Sequence, residues 1–91
     1  MKALFKIIYL EDRKTYHPIV YLLDIADLNF SDYYYNAGHR TLGYNSLEMA
    51  TTCAMTEFIP LFREIGYQIK REFAEPIICK DINDIPKVQI R

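Results

Sequence analysis

The residues that most readily bind metals are few in this sequence and lie far apart. Two histidines and two cysteines occur, at His17, His39, Cys53 and Cys79. Structural zinc sites usually carry their ligands in close pairs, such as C-x2-4-C or H-x3-5-H. Because the sequence contains no such pair, it predicts neither a metal site nor a bound cofactor.

Catalytic groups show the same lack of convergence. Cys53 falls in the middle of a predicted helix, where a thiol usually behaves as a small apolar side chain. Asp24 and Asp27 would share a face only on a helical turn, and aspartates that follow a strand more often form turns or caps. No Gly-rich phosphate loop, G-x-S-x-G or H-E-x-x-H motif occurs. We therefore expect a protein that is not an enzyme.

Aromatic side chains form the one dense group of candidate binding residues, in the long segment 24–45. The group consists of Phe30, Tyr33, Tyr34, Tyr35, His39, Arg40 and Tyr44. Tyrosine and arginine anchor interfaces because they bury a large area and keep a polar tip. Three consecutive tyrosines cannot all face a core, so we expect at least one to be exposed. The competing interpretation is a segment that folds back over the sheet and buries its rings.

These residues favour a small non-enzymatic protein that binds another protein, as an inhibitor, adaptor or small subunit. An accessory protein of a phage or mobile element would have this size and this lack of motifs. A weaker apolar strip on the outer side of the helix, at Met55 and Ile59, is a secondary interface that could also form a homodimer.

The alternative function is nucleic-acid binding. In that hypothesis the tyrosines stack on bases and a C-terminal set of basic residues contacts phosphate: Lys70, Arg71, Lys80 and Lys87. The formal net charge of −1 provides no overall field that would attract a polyanion. A small-molecule site between the aromatic segment and the sheet is a third and weaker hypothesis.

One long helix organises the elements that must position these residues. Asn45 is predicted to cap it, with Glu48 completing a capping box and Tyr44 and Met49 forming a hydrophobic staple. The predicted apolar stripe consists of Leu47, Ala50, Ala54, Phe58, Leu61, Phe62 and Ile65.

The sequence also predicts where the helix ends and where it is kinked. Gly66 is predicted to end the helix in a left-handed conformation, with Tyr67 touching Phe62, as in a Schellman motif. Pro60 lacks the N–H that would bond to Thr56, so we expect a kink there within a single helix rather than two helices.

Strand patterns flank the helix. Residues 3–10 and 16–23 predict a β-hairpin around a five-residue connection. Their continuous apolar runs predict that the second sheet face is covered too, by residues 24–45 or by a partner. Residues 67–73 predict an antiparallel strand, A-E-P predicts a turn, and residues 77–80 and 87–90 predict further short strands. Within the aromatic segment, Ser31 is a candidate cap for a short helix.

The sequence thus predicts one α+β domain over residues 1–91. An antiparallel sheet would be built from a β-hairpin and two to three short strands, with one long kinked helix packed on one face. Hydrophobic residues make up 51% and charged residues 25%, which is typical of a globular chain. No apolar stretch is long enough to span a membrane, and no secretory leader pattern is present. We expect a cytoplasmic protein.

Overall fold

The computed structural model describes residues 2–22, 30–31, 34–36, 43–86 and 88–89, with the backbone alone for 30–31, 34–36 and 88–89. Strands β1 (Lys2–Leu10) and β2 (Thr15–Leu22) form an antiparallel hairpin, as predicted. The turn has four residues, and Lys14 adopts the left-handed conformation at its end, with φ 56°.

The segment after the hairpin contains two short strands, β3 (Phe30–Ser31) and β4 (Tyr34–Asn36). The short helix expected from Ser31 is therefore wrong. Strand β4 adds to the hairpin beside β2, in antiparallel orientation. Strand β3 pairs with the last strand, β6 (Val88–Gln89), in a separate two-stranded sheet. The predicted final strand thus exists, but it does not join the main sheet.

Strand β5 (Gln68–Cys79) follows the helix and pairs with β1 in parallel orientation. The main sheet has the order β4-β2-β1-β5 and is mixed, so the prediction of a purely antiparallel sheet is wrong. The reason is topological. The long connection between β2 and β5 includes the helix, and a connection of that kind can return the chain in either direction.

The predicted A-E-P turn is part of this single strand. Glu72 lies opposite Lys6 and Ile77 lies opposite Ile8, so the residues 73–76 lie opposite Ile7 alone. The extra residues form a large bulge, and a bulge accommodates a change of direction without ending a strand. Proline is tolerated here because β5 has no partner on its outer side among the described residues.

The helical region runs without interruption through three segments, α1 (Leu47–Cys53), a π-helical turn (Ala54–Phe58) and α2 (Ile59–Glu64). The prediction that Pro60 does not divide the helix is confirmed. The π-helical turn lies where the kink was expected, around Thr56. A π-helical turn is a known way to accommodate a break in the α-helical hydrogen-bond ladder.

The structure agrees with the predicted end of the helical region but not with its predicted start. Ser46, not Asn45, is the N-cap, and its Oγ accepts a hydrogen bond from the Met49 N–H at 3.1 Å. With this cap the N3 residue is Met49 and the N′ residue is Asn45, so the predicted capping box and hydrophobic staple are both wrong. At the other end the Schellman motif is confirmed. The Tyr67 N–H donates to the Phe62 carbonyl, and the Gly66 N–H donates to the Arg63 carbonyl. The rings of Phe62 and Tyr67 make the expected contact.

The buried face of the helix changes at the π-helical turn. Leu61 and Ile65 were predicted to lie in the core, yet 56% and 65% of their surfaces are exposed. Ile59, predicted to lie on the outer side, is 2% exposed, and Cys53 is buried as well. A π-helical turn contains more residues than an α-helical turn, so every position after it is rotated relative to the α-helical pattern.

Both faces of the sheet carry buried apolar side chains, while most of the segment 24–45 that was predicted to cover the second face lies outside the described residues. On one face the helix packs on Ala3, Phe5 and Val20. On the other face the core includes Ile85, which follows a short 3-10 turn (Ile82–Asp84), and Tyr21, whose hydroxyl donates to the Pro86 carbonyl. None of the described helices is long and apolar enough to cross a bilayer.

Candidate functional site

Tyr44 is the one residue of the predicted aromatic set whose side chain the structure describes. Three members of the set lie outside the described residues: Tyr33, His39 and Arg40. The other three are described by their backbone, as strand residues: Phe30, Tyr34 and Tyr35. In β4 the two tyrosines pair with Tyr21 and Val20 of β2. Strand β4 of the aromatic segment therefore runs beside β2 of the hairpin.

Tyr44 is held between the sheet and the helix. Its N–H donates to the carbonyl of Tyr16 at 2.9 Å, and its carbonyl accepts from the N–H of Tyr16 at 2.8 Å. Its hydroxyl lies 2.7 Å from Cys53 Sγ. Gly43 makes this close approach possible, because it has φ +73° and a Cβ there would lie 2.5 Å from the His17 ring.

Three tyrosines and an isoleucine form a row across the sheet. Tyr9 pairs with Tyr16 on one side and with Ile78 on the other, and Tyr16 pairs with Tyr44 through an isolated bridge. Directly paired residues share a face of the sheet. Tyr9 is four positions beyond Phe5 in β1, so the row lies on the face that carries the helix. Strands are about 4.8 Å apart, which makes this tyrosine row about 14 Å long.

Tyr9 and Tyr16 lie near the hairpin turn, whereas Tyr44 packs against the core under the helix. Tyr9, Tyr16 and Tyr44 are half-buried, and 57% of the Ile78 surface is exposed. The rings of Tyr9 and Tyr16 are in contact, with centroids 4.8 Å apart and planes tilted by 50°. The row thus combines accessible apolar area with phenol groups, which is a common property of protein interfaces.

A groove on the helix begins where the tyrosine row ends, at Tyr44. It has a volume of about 390 Å³. Glu48, Thr52 and Thr56 form one side of the groove, and Met49, Cys53 and Glu57 form the other. Side chains spaced four residues apart form ridges on a helix, and the groove lies between two such ridges. The lining residues are Tyr44, Glu48, Met49, Thr52, Cys53, Thr56 and Glu57. We call this the helix groove.

The polar groups in the helix groove are connected through the Cys53 thiol. Its Sγ donates to Glu57 Oε2 at 3.0 Å and lies beside the Tyr44 hydroxyl. A thiol held by a carboxylate is not placed next to a cation that would stabilise a thiolate. We interpret the contacts as fixing Tyr44 to the helix, and we assign no nucleophile here.

Cys79 is in an equally unreactive position. Burial raises the pKa of its thiol, and the nearby carboxylates of Asp84, Asp81 and Glu11 raise that pKa further. Both cysteines carry thiols in the structure. Within the described ranges, no three His, Cys, Asp or Glu side chains are arranged to hold a metal ion.

The predicted secondary interface is divided by the fold. Met55 is 38% exposed, and its sulfur accepts a hydrogen bond from Arg71 Nη1 at 2.7 Å. Ile59 belongs to the core under the helix, so its placement on the outer surface is wrong. The exposed apolar side chains of the helix are instead Met49, Met55, Leu61 and Ile65.

The predicted basic contacts do not form one patch in the described part of the chain. Lys70 and Arg71 pair with Leu4 and Phe5 of β1, whereas Lys80 follows the residue that pairs with Leu10. Leu4 and Leu10 are six residues apart along β1, so about 20 Å of strand separates Lys70 from Lys80. Lys87 lies outside the described residues.

Glu72 partly neutralises the basic residues beside it. Lys6 Nζ lies 2.9 Å from one of its carboxylate oxygens, and Lys70 Nζ lies 3.9 Å from the other. The hydrogen bond from Lys6, followed by the positive charge of Lys6, lowers the pKa of Glu72. One carboxylate thus lies beside Lys6, Lys70 and Arg71, so it reduces the positive charge at this end of β5 without removing it.

Sequence reasoning missed Tyr9, Tyr16 and Ile78 as site residues. The hairpin contained a signal for the first two, because a four-residue turn pairs residue 9 with residue 16. The predicted five-residue connection would instead have paired Leu10 with Tyr16. Ile78 had no local signal, since its place depends on the parallel pairing and on the bulge. The chain matches no family model, and comparisons with curated proteins and with solved structures find no significant similarity.

Proposed function

We propose that this chain is a small non-enzymatic protein that binds another protein through the tyrosine row and the adjoining helix groove. The observation that carries the proposal is the alignment of Tyr9, Tyr16 and Tyr44 with exposed Ile78 on one face of the sheet. Tyrosine provides a large contact area at a low cost in side-chain entropy.

The tyrosine row and the helix groove adjoin each other and can be contacted by one partner. A stable protein interface buries roughly 800 Å² on each partner, more than four side chains supply. Tyr44 joins the row to the helix groove, where Met49 is 51% exposed. We further propose that β4 extends this surface along β2 at Tyr35, which pairs with Val20 on the face of the tyrosine row. Tyr34 pairs with Tyr21, which belongs to the opposite face.

Site-specific photo-crosslinking tests the proposal. Benzoylphenylalanine placed at Tyr16 should give a discrete adduct with a cellular protein, and the same group at exposed Ile82, outside the site, should not. The captured protein, purified, should then bind Tyr16→Ala at least tenfold more weakly than the unmodified chain. Equal binding by Ile82→Ala and the unmodified chain is the control. Equal binding by Tyr16→Ala, with folding intact, would contradict the proposal.

The aromatic segment needs a separate test. Tyr34→Ala with Tyr35→Ala should weaken the same complex and leave the far-UV circular dichroism unchanged. If the double variant unfolds, the two tyrosines belong to the core and the segment is not part of the binding surface.

The tyrosine row also supports a second candidate, single-stranded nucleic acid, because aromatic rings on a sheet can stack on bases. The acidic groove beside the row and the separated basic residues favour the protein partner instead. Fluorescence anisotropy with a labelled oligonucleotide separates the two. Binding that weakens steeply with salt and is lost in Tyr9→Ala would favour nucleic acid.

A further inference from the structure

The helix groove carries a marked charge. Its two ionisable side chains other than the tyrosine and the thiol are Glu48 and Glu57, and no lysine or arginine lines it among the described residues. Glu48 is exposed in the first turn of α1, and Glu57 is exposed in the π-helical turn. Both ends of the groove are therefore acidic, and Met49, Thr52, Cys53 and Thr56 lie between them.

The floor between the two carboxylates is suited to an aliphatic side chain. Met49 is half exposed, and the buried Cys53 with the Tyr44 ring forms the base. Methionine adapts its shape to a partner more readily than branched side chains do. The hydroxyl of Tyr44 and the thiol already have hydrogen-bond partners, so an apolar group placed on them does not leave these two groups unsatisfied.

We propose that the helix groove binds a helical segment of the partner protein in which an apolar side chain is flanked by lysine or arginine. The apolar side chain would lie on Met49 and Tyr44, with one cation at Glu48 and another at Glu57. This inference rests on the proposed function and adds the chemistry of the partner to it.

The spacing of the carboxylates defines the partner segment further. Glu48 and Glu57 both line the groove and are nine residues apart, a rise of about 13 Å along the helix axis. Two cations seven or eight residues apart on a partner helix span about 11 to 12 Å, and the length of lysine or arginine side chains covers the remainder. Side chains at these positions lie on the same face of the partner helix, so one face can supply both cations and the apolar residue.

The test uses two synthetic helical peptides and the full chain labelled with ¹⁵N. The first peptide carries leucine between two lysines seven residues apart, and the second has glutamate in place of each lysine. We expect the lysine peptide to shift the amide signals of Met49, Thr52 and Cys53. Its affinity should fall at least tenfold in Glu48→Gln with Glu57→Gln. The amide of glutamine at position 57 can still accept from the Cys53 thiol, so the groove should keep its shape.

A matched control uses a carboxylate on the same helix. Glu64→Gln removes one negative charge outside the helix groove and should leave peptide affinity unchanged. The inference is overturned if the glutamate peptide binds equally well, if the double variant binds as the unmodified chain does, or if the shifts fall outside the groove. A persistent crosslink at Tyr16 together with such a result would leave the proposed function intact and reject only the cationic partner segment.

Discussion

The π-helical turn leads to a prediction that reverses the order expected from sequence periodicity. Ile59→Ala should destabilise the protein strongly, and Leu61→Ala should have little effect. The α-helical pattern predicts the opposite, because it places Leu61 in the core and Ile59 outside. The two substitutions remove side chains of the same size from the same helix, so each serves as the control for the other.

The magnitudes follow from burial. Ile59 is 2% exposed and packs in the core under the helix. Replacing a buried isoleucine by alanine costs about 2–5 kcal/mol, because a cavity remains. Complete burial of a leucine side chain contributes roughly 1.5–3 kcal/mol. Leu61 is 56% exposed, so its burial contributes less than half of that amount. Alanine also has a slightly higher helix propensity. We expect a loss of about 1 kcal/mol or less for Leu61→Ala.

Urea unfolding followed by far-UV circular dichroism measures both changes in the free energy of unfolding, and thermal unfolding followed by the same signal measures Tm. In a chain of this size a change of about 1 kcal/mol shifts Tm by about 4–8 °C. Ile59→Ala should therefore lower Tm by at least about 8 °C, and Leu61→Ala by less than that. Equal losses, or a larger loss for Leu61→Ala, would show that the helix keeps α-helical phase through residue 58 and would refute the assignment of the buried face.

Three further predictions concern backbone conformation and charge. Gly43→Ala should lower the free energy of unfolding by about 2–5 kcal/mol, because of the left-handed φ and the overlap with His17. In a His17→Ala background the same substitution should cost less. An equal cost in that background would exclude the overlap with His17. Lys14→Gly should stabilise the hairpin turn by about 0.5–1 kcal/mol, because glycine relieves the left-handed strain; a lower urea midpoint would contradict this. Lys6→Met should reduce stability at neutral pH by at most about 1 kcal/mol, since solvent reaches both members of the Lys6–Glu72 pair, with 24% and 46% of their side-chain surfaces exposed. The pKa of Glu72 is lowered in the folded state, so this difference should be complete above the ordinary pKa of a glutamate and vanish as the pH falls through the lowered value; a difference that persists near pH 3 would show that packing, not charge, is responsible.

The sequence by itself determined the local elements of this protein. The hairpin followed from two apolar β-branched runs around a polar turn. The Schellman end followed from Gly66, since glycine adopts the left-handed conformation at little cost. The absence of close metal-ligand pairs was also readable directly. These features depend on residues that are near one another in the chain.

Tertiary structure decided the features that depend on distant residues. The parallel pairing of β5 with β1 reflects the route of the chain around the helix, which no local pattern encodes. The π-helical turn moved Ile59 into the core and Leu61 out of it, because one change in helical repeat rotates all later positions. The tyrosine row has the same origin. Tyr9, Tyr16, Tyr44 and Ile78 come from four parts of the chain, and backbone pairing aligns them on one face of the sheet.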